Sequence, residues 1–297
     1  MASLINLIDT IWDWIWRPGW YDGNYVSSSS PIIIGGCARS GTTLMRVILD
    51  SHSNIFCGPE TNIFLPLRIR TRKRIKNLSW KCDVSVREIR KLLDESGCHS
   101  EFIDRFFIRV SNLHGKKRWG EKSPKNVLRL NYIFKHFPRA KFIHMIRDGR
   151  DVACSIRTFP KRKIVDGKII PLNTYRPIED GIKRWIHDVN IGRKYRGDPR
   201  YIEVKYEDLI FKTEKILKEL FKFLEETFEK KILRYYEVQD STREIAKFPQ
   251  NMEAIQPMYS KSVARWRKEF DDEETRLFKK LGGPLLINLG YEDDDKW

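Results

Sequence analysis

The stretch PIIIGGCARSGTTLMRVILDS, residues 31 to 51, constrains the fold more than any other part of the chain. Pro31 to Gly35 has the apolar, β-branched character of a short buried strand. Thr42 to Ser51, apolar at Leu44, Met45, Val47, Ile48 and Leu49, has the spacing of a helix. The residues between them, Gly36 to Thr43, must therefore turn the chain from a strand end into a helix start. Successive backbone N–H groups at such a turn share the direction of the positive helix end, which makes a cradle for an anion. Gly36 and Gly41 allow close backbone approach, Ser40, Thr42 and Thr43 add hydroxyl groups, and Arg39 adds a planar charge suited to phosphate or sulfate. The glycine spacing fits the phosphate loop G-x-x-x-x-G-K-[ST], yet Thr42 stands where its lysine would reach the outer phosphates. Arg147 follows a later strand where a metal-binding aspartate often sits, so magnesium-dependent cleavage of a γ-phosphate loses support.

The remaining pattern repeats strand, turn and helix. Ile55 to Cys57 reads as a second strand ending in GPET, and residues 61 to 112 read as mainly helical, with RIRTRKRIK as a solvated face. A helical pattern over Val127 to His136 precedes the strand AKFIHMI, which runs into RDGRDVACSIR; Tyr201 to Lys205 is a further strand. This alternation predicts an α/β fold: a P-loop-type central parallel β-sheet flanked by helices on both faces, in a single domain. Ligands of such sheets bind beyond the carboxyl ends of the strands, where Gly36 to Thr43, Glu60, Arg147 to Ser155 and Tyr206 fall. Ser27 to Ser30 sets off an apolar, amphipathic N-terminal segment, residues 1–30, from one domain over 31–297 that no linker divides. Residues 158 to 180 lack periodicity and read as a long loop, a lid or acceptor-recognition element carrying Lys161, Arg162 and Lys163.

The formal net charge of +16 points to anionic ligands without choosing among them. Five scattered cysteines, odd in number and never in a C-x-x-C pair, argue against a disulfide scaffold or zinc site and for a reducing, cytoplasmic compartment. The six histidines show no ligand spacing, and no metal is expected. No stretch approaches the ~20 apolar residues of a membrane span. Residues 4–20, with Ile5, Trp12 and Trp16, read either as a peripheral membrane contact or as a terminal helix that packs on the domain.

Taken together, GGCARSGTTLMRVILDSHSNIFCGPET, EKSPKN and KFIHMIRDGRDVACSI resemble the sulfotransferases that use 3′-phosphoadenosine 5′-phosphosulfate, PAPS. The resemblance is to the tyrosylprotein sulfotransferase branch above all, strongest over Pro31 to Arg157 and looser beyond. It implies that the Gly36 to Thr43 loop binds the 5′-phosphosulfate and that Arg147 and Ser155 bind the 3′-phosphate. Glu60 falls at the general base, and Lys122 at the lysine that stabilises the bridging oxygen alongside Arg39 and Thr43. Tyr206, Ser262 and Arg265 align with further nucleotide contacts. The implied reaction is in-line sulfuryl transfer with adenosine 3′,5′-bisphosphate as product and no metal. Each residue also has a plain structural reading: Arg147 paired with Asp148 or Asp151, Ser155 as a helix residue, Glu60 as a helix-start carboxylate, Trp266 as core.

Several positions depart from that branch. Its enzymes pair a cysteine at the Cys57 position with one near the active-site lysine, where this chain has Gly120. Pro59 replaces an acidic residue, and Asn62 and Pro66 dilute a basic acceptor-binding pattern to which Arg68 and Arg70 could contribute. The missing bridge, with an N-terminus that lacks the membrane anchor of the animal branch, favours a carbohydrate or glycolipid hydroxyl as acceptor, with peptide tyrosine as the alternative and a P-loop kinase or nucleotidase behind both. No nucleic-acid partner is expected, because basic and aromatic residues do not interleave on strands; a homodimer is a further expectation.

Overall fold

In the computed structural model the described residues are 19–66, 69–158, 161–165, 168–172, 176–237, 253–258 and 260–297, with the strands in 161–172 described by backbone alone. The expected membrane-contact residues 4–18 lie outside them.

Ile32, Ile33 and Ile34 have no exposed surface, which places their strand inside the molecule with both faces covered. That strand, β1 (Ile32–Gly36), lies mid-sheet between β3 (Arg118–Lys122) and β4 (Lys141–Ile146). With β2 (Ile55–Cys57) and β7 (Tyr201–Lys205) at the edges, the order is β2-β3-β1-β4-β7, and every pairing is parallel. Alternation along β1 sends Ile33 into one core and Ile32 and Ile34 into the other.

The first core is filled from α2 (Arg72–Cys82), α3 (Val86–Glu95), α4 (His99–Leu113) and α5 (Leu130–His136), through Ile75, Leu78, Ile89, Leu93, Phe102, Phe106 and Ile133. The second is filled from α1 (Thr42–Asp50), α8 (Tyr206–Phe211) and α9 (Thr213–Leu224), through Met45, Ile48, Leu209, Leu217 and Phe221. A third cluster, built on Trp185 and Phe278, joins α6 (Gly149–Thr158), α7 (Ile178–Arg193) and α11 (Asp272–Asn288); the short α10 (Trp266–Glu269) buries Trp266 as expected. This is the α/β fold read from the sequence. Among the described residues no helix is long and apolar enough to cross a membrane.

Two local readings need correction. Residues 158 to 180 are not a structureless loop: β5 (Lys161–Val165) and β6 (Lys168–Leu172) pair antiparallel, Lys161 opposite Leu172 and Val165 opposite Lys168. The overlooked signal is Asp-Gly at 166–167 between two β-branched runs, a two-residue hairpin signature. The helical pattern over 127–136 begins as a 3₁₀ turn, Pro124–Arg129, before α5, consistent with a proline that fixes φ in its first turn.

Candidate functional site

The carboxyl ends of all five strands converge on the loop after β1. That loop turns through three residues of positive φ, Gly36 (142°), Arg39 (75°) and Gly41 (86°). A Cβ on Gly36 would stand 2.4 Å from the Met145 carbonyl oxygen, and one on Gly41 2.5 Å from the Tyr206 ring. Only glycine fits either place. Gly41 is also the N-cap of α1 and supplies no side chain to cap it, and no acidic residue stands in the first turn. The leading N–H groups of α1 are thus left for an external anion.

On one side of the loop stand Thr43, Glu60 and Lys122. Lys122, from the end of β3, is 2% exposed; its Nζ donates to Glu60 Oε2 at 3.1 Å and to Thr43 Oγ1 at 3.3 Å. Glu60 follows β2 in an extended loop, outside any helix, so the helix-start reading does not apply. Asn62 Nδ2 donates to Glu60 Oε1 at 3.1 Å, and Lys81 Nζ to the Glu60 carbonyl at 2.6 Å. Partial burial pushes the Glu60 carboxyl pKa up, but the Lys122 ion pair and hydrogen bond, Asn62 and Lys81 together hold it below the ordinary glutamate value. Glu60 is therefore ionised at neutral pH and able to accept a proton. Its side chain is 41% exposed, open to a partner arriving from solvent.

Arg39, Arg147, Ser155, Tyr206 and Ser262 stand on the other side. Arg39 Nε donates to Ser155 Oγ at 2.9 Å, joining the loop to α6. Arg147 donates to the Arg39 carbonyl at 3.0 Å and to the Ser262 carbonyl, and its guanidinium lies 4.7 Å from the Tyr206 ring centroid. Tyr206 and Ser262 share a hydroxyl hydrogen bond of 2.8 Å. Arg147 also approaches Asp151 at 3.8 Å, whereas Asp148 is taken by Arg150. Burial, and then the Arg147 charge, lower the pKa of Arg39; two guanidinium groups this close favour an anion between them. Two polar atoms here, Ser40 Oγ and Arg147 Nε, are buried without a hydrogen-bond partner among the described residues. Such atoms suit bound phosphate or sulfate oxygens, which would complete their hydrogen bonding. The adjoining cavity runs from Arg39, Gly41, Thr43 and Arg147 to a wall of Tyr206, Tyr235, Pro257 and Met258.

The structure thus collects most of the sequence-derived residues but groups one of them differently. Arg39 is grouped with Ser155 and Arg147 rather than with Lys122. Arg265 is bonded to Glu269 at 2.6 Å and to Thr158 at 3.4 Å, and its charge acts on Arg39 together with that of Arg147. Arg70 is committed to Asp94 and Leu93 and lies over Trp20, and Arg68 falls outside the described residues. Lys81 and Asn62 were missed. Nothing in the spacing of α2 reveals that it delivers Lys81 to Glu60, since the helix's placement against the loop is set by long-range packing. Arg74, within the stretch read as solvated, donates to the Thr61 carbonyl.

A model of the sulfotransferase family matches residues 31–230. The chain belongs to that family and is a sulfotransferase. It is 30% identical over 270 residues to human protein-tyrosine sulfotransferase 1, covering 88% of this chain and 69% of that one. Identity to the Danio rerio enzyme of the same name is 29% over 272 residues, 88% of this chain and 72% of that one. For the Drosophila melanogaster protein-tyrosine sulfotransferase it is 28% over 276 residues, 88% of this chain and only 51% of the relative. Among solved structures, the sulfotransferase domain of the Synechococcus PCC 7002 olefin synthase superposes with a TM-score of 0.61 at 18% identity, over 85% of this chain and 92% of that one. A mouse sulfotransferase complexed with PAP gives 0.52 at 14% identity, over 89% and 86%. At these identities the structural likeness speaks for the fold.

The relatives overturn the expectation of a carbohydrate or glycolipid acceptor, because they are named protein-tyrosine sulfotransferases. That expectation leaned on the Cys57 pairing and the N-terminus, features that bear on stability and compartment rather than on which hydroxyl reaches Glu60. The cysteine observation itself is sound: Gly120 is the register partner of Cys57, and all five cysteines are buried thiols.

Proposed function

We propose that the protein transfers the sulfuryl group of PAPS to the hydroxyl of a tyrosine in a polypeptide. The observation that carries this reading is the chain Glu60–Lys122–Thr43 at the open edge of the anion loop, where a proton acceptor and a buried cation meet the start of α1. The names of the relatives support the acceptor, and the exposure of Glu60 suits a side chain presented on a polypeptide.

PAPS supplies the sulfuryl group and leaves as adenosine 3′,5′-bisphosphate. Glu60 accepts the proton of the phenol as its oxygen bonds to sulfur, and the sulfur–oxygen bond to the phosphate breaks. Lys122 and Thr43 donate to the oxygen on which negative charge builds, which lowers the barrier because these donors are already in place. The loop N–H groups and Ser40 hold the 5′ end of the donor. Arg147, Ser155 and Arg39 form the grip for its 3′-phosphate, with Tyr206 and Ser262 setting the angle of Arg147.

Sulfur-35-labelled PAPS offered to tyrosine peptides and to glycans tests the proposal. Label should appear on peptide tyrosine, and label on glycans alone would overturn the acceptor. Glu60→Gln should lower turnover about 10²- to 10⁴-fold, the range for removing a general base, while affinity for adenosine 3′,5′-bisphosphate stays nearly constant. Equal loss of both would make Glu60 structural.

A further inference from the structure

Directly behind the Glu60–Lys122 pair lies a second carboxylate, Glu121, only 1% exposed. Among the described residues no cation comes within ion-pair distance of it; its partners are neutral donors. Oε1 accepts from the Thr61 backbone N–H at 3.1 Å, the Thr61 hydroxyl at 2.7 Å and the Ser123 hydroxyl at 2.6 Å. Oε2 accepts from Asn126 Nδ2 at 2.6 Å, and the same amide nitrogen donates to the Ile34 carbonyl at 3.0 Å. Ser123 Oγ in turn accepts from the Asn62 N–H at 2.8 Å.

The bonded residues are the informative part. Thr61 immediately follows Glu60, Ser123 immediately follows Lys122, and Ile34 precedes the anion loop by two positions. One carboxylate therefore ties together the ends of β2, β3 and β1 where they deliver the base, the lysine and the loop. Arg74 and Lys81 lie near enough for their charges to act on it, but a buried charge without a directly bonded cation is costly unless hydrogen bonds compensate. Here four donors converge on an acceptor-only group, the match a carboxylate offers and an amide cannot.

Resting on the function proposed above, we infer that Glu121 is a positioning residue for sulfuryl transfer, fixing the separation of Glu60 and Lys122 through Thr61 and Ser123. It touches neither substrate and acts through the residues next to it.

Glu121→Gln is the test, since the amide keeps the shape but turns an N–H₂ toward groups that are themselves donors. In the otherwise native enzyme kcat should fall about 30-fold, the scale of a sub-ångström misplacement, with affinity for adenosine 3′,5′-bisphosphate within about twofold. In a Glu60→Gln background the same change should cost less than about twofold, because residues that act as a unit are not additive. Full additivity would overturn the inference. A second readout needs no turnover: carbon-13 NMR titration of the Glu60 carboxyl, whose pKa should rise in Glu121→Gln as Lys122 is no longer held against it. An unchanged Glu60 titration would refute the positioning role even if the native chain proved inactive, whereas a raised pKa in an inactive chain would refute only the proposed function. If Glu121→Gln does not fold, Thr61→Val removes one donor and keeps the backbone N–H. It should lower kcat about fivefold alone and hardly at all with Glu60→Gln, and an additive loss again decides against the inference.

Discussion

Gly120→Cys should create a cross-link that this chain lacks. Cys57 and Gly120 are register partners on the parallel pair β2–β3, and a Cβ placed on Gly120 stands 3.2 Å from Cys57 Sγ. Bonded cysteines hold their Cβ atoms about 3.8 Å apart around an S–S bond of about 2.04 Å, so a sulfur at this position reaches Cys57 with little movement. The loop closed runs from 57 to 120, and the chain-entropy treatment gives about 4 kcal/mol for a closure of roughly sixty residues. Against this stands crowding: the same Cβ would lie 3.0 Å from the Ile32 carbonyl oxygen and 3.3 Å from that of Phe56. Overpacking of this kind costs about 1–3 kcal/mol, leaving a net gain of about 1–3 kcal/mol for the oxidised form over the native chain. For a chain of 297 residues that is a rise in Tm of about 2–5 °C. Thiol titration and thermal melts with and without reductant separate the two contributions. The reduced variant should melt below the native chain and the oxidised variant above it, with two thiols consumed per chain. Unreacted thiols under an oxidant that reaches buried sulfur, or an oxidised form melting no higher than the reduced one, would refute the proximity of β2 and β3 on which the placement of Glu60 beside Lys122 depends.

The acid limb of kcat/KM should lie below the ordinary glutamate pKa of about 4.3, because the Glu60 carboxyl is held low by Lys122 and Asn62 against the opposing effect of burial. The sign follows: a depressed folded pKa means the charged pair contributes stability above the unfolded value and loses it as pH falls through the folded one, and activity falls with it. A limb near pH 6 in a rate profile would contradict this. Gly41→Ala should weaken adenosine 3′,5′-bisphosphate binding about 10- to 100-fold, since αL strain of about 1–3 kcal/mol is joined by collision with the Tyr206 ring that supports Arg147. Gly115→Ala, also at positive φ but with open space around its Cβ, is the control and should leave that affinity unchanged in a calorimetric titration.

Much of the fold was legible because local pattern and global packing agree. Ile32 to Ile34 and the KFIHMI run are uniformly apolar, as strands covered on both faces must be, and the glycines at 36 and 41 mark where the backbone enters conformations that side chains forbid. Glu60, Arg147 and Tyr206 could be placed together because each follows a strand of one parallel sheet, so topology alone carries them to the same edge, whereas Lys122, the last residue of β3, is reached only through the resemblance. What escaped was set by contacts that spacing does not encode. The resemblance groups Arg39 with Lys122 and Thr43, yet its hydrogen bond spans 116 residues to Ser155 and sets it beside Arg147. Arg74 reads as one more cation in a basic run until α2 packs against the Glu60 loop, where its guanidinium is bonded to a backbone carbonyl. Glu121 gives no signal beyond its place in EKSP, because its role depends on β2 and β1 lying on either side of β3. The paired strands 161–165 and 168–172 are the opposite case: Asp-Gly between two β-branched runs is legible in the sequence, and lack of helical periodicity is not lack of structure. Residues that hold a ligand are thus announced by the strand they follow, whereas residues that hold those residues are announced only by the assembled sheet.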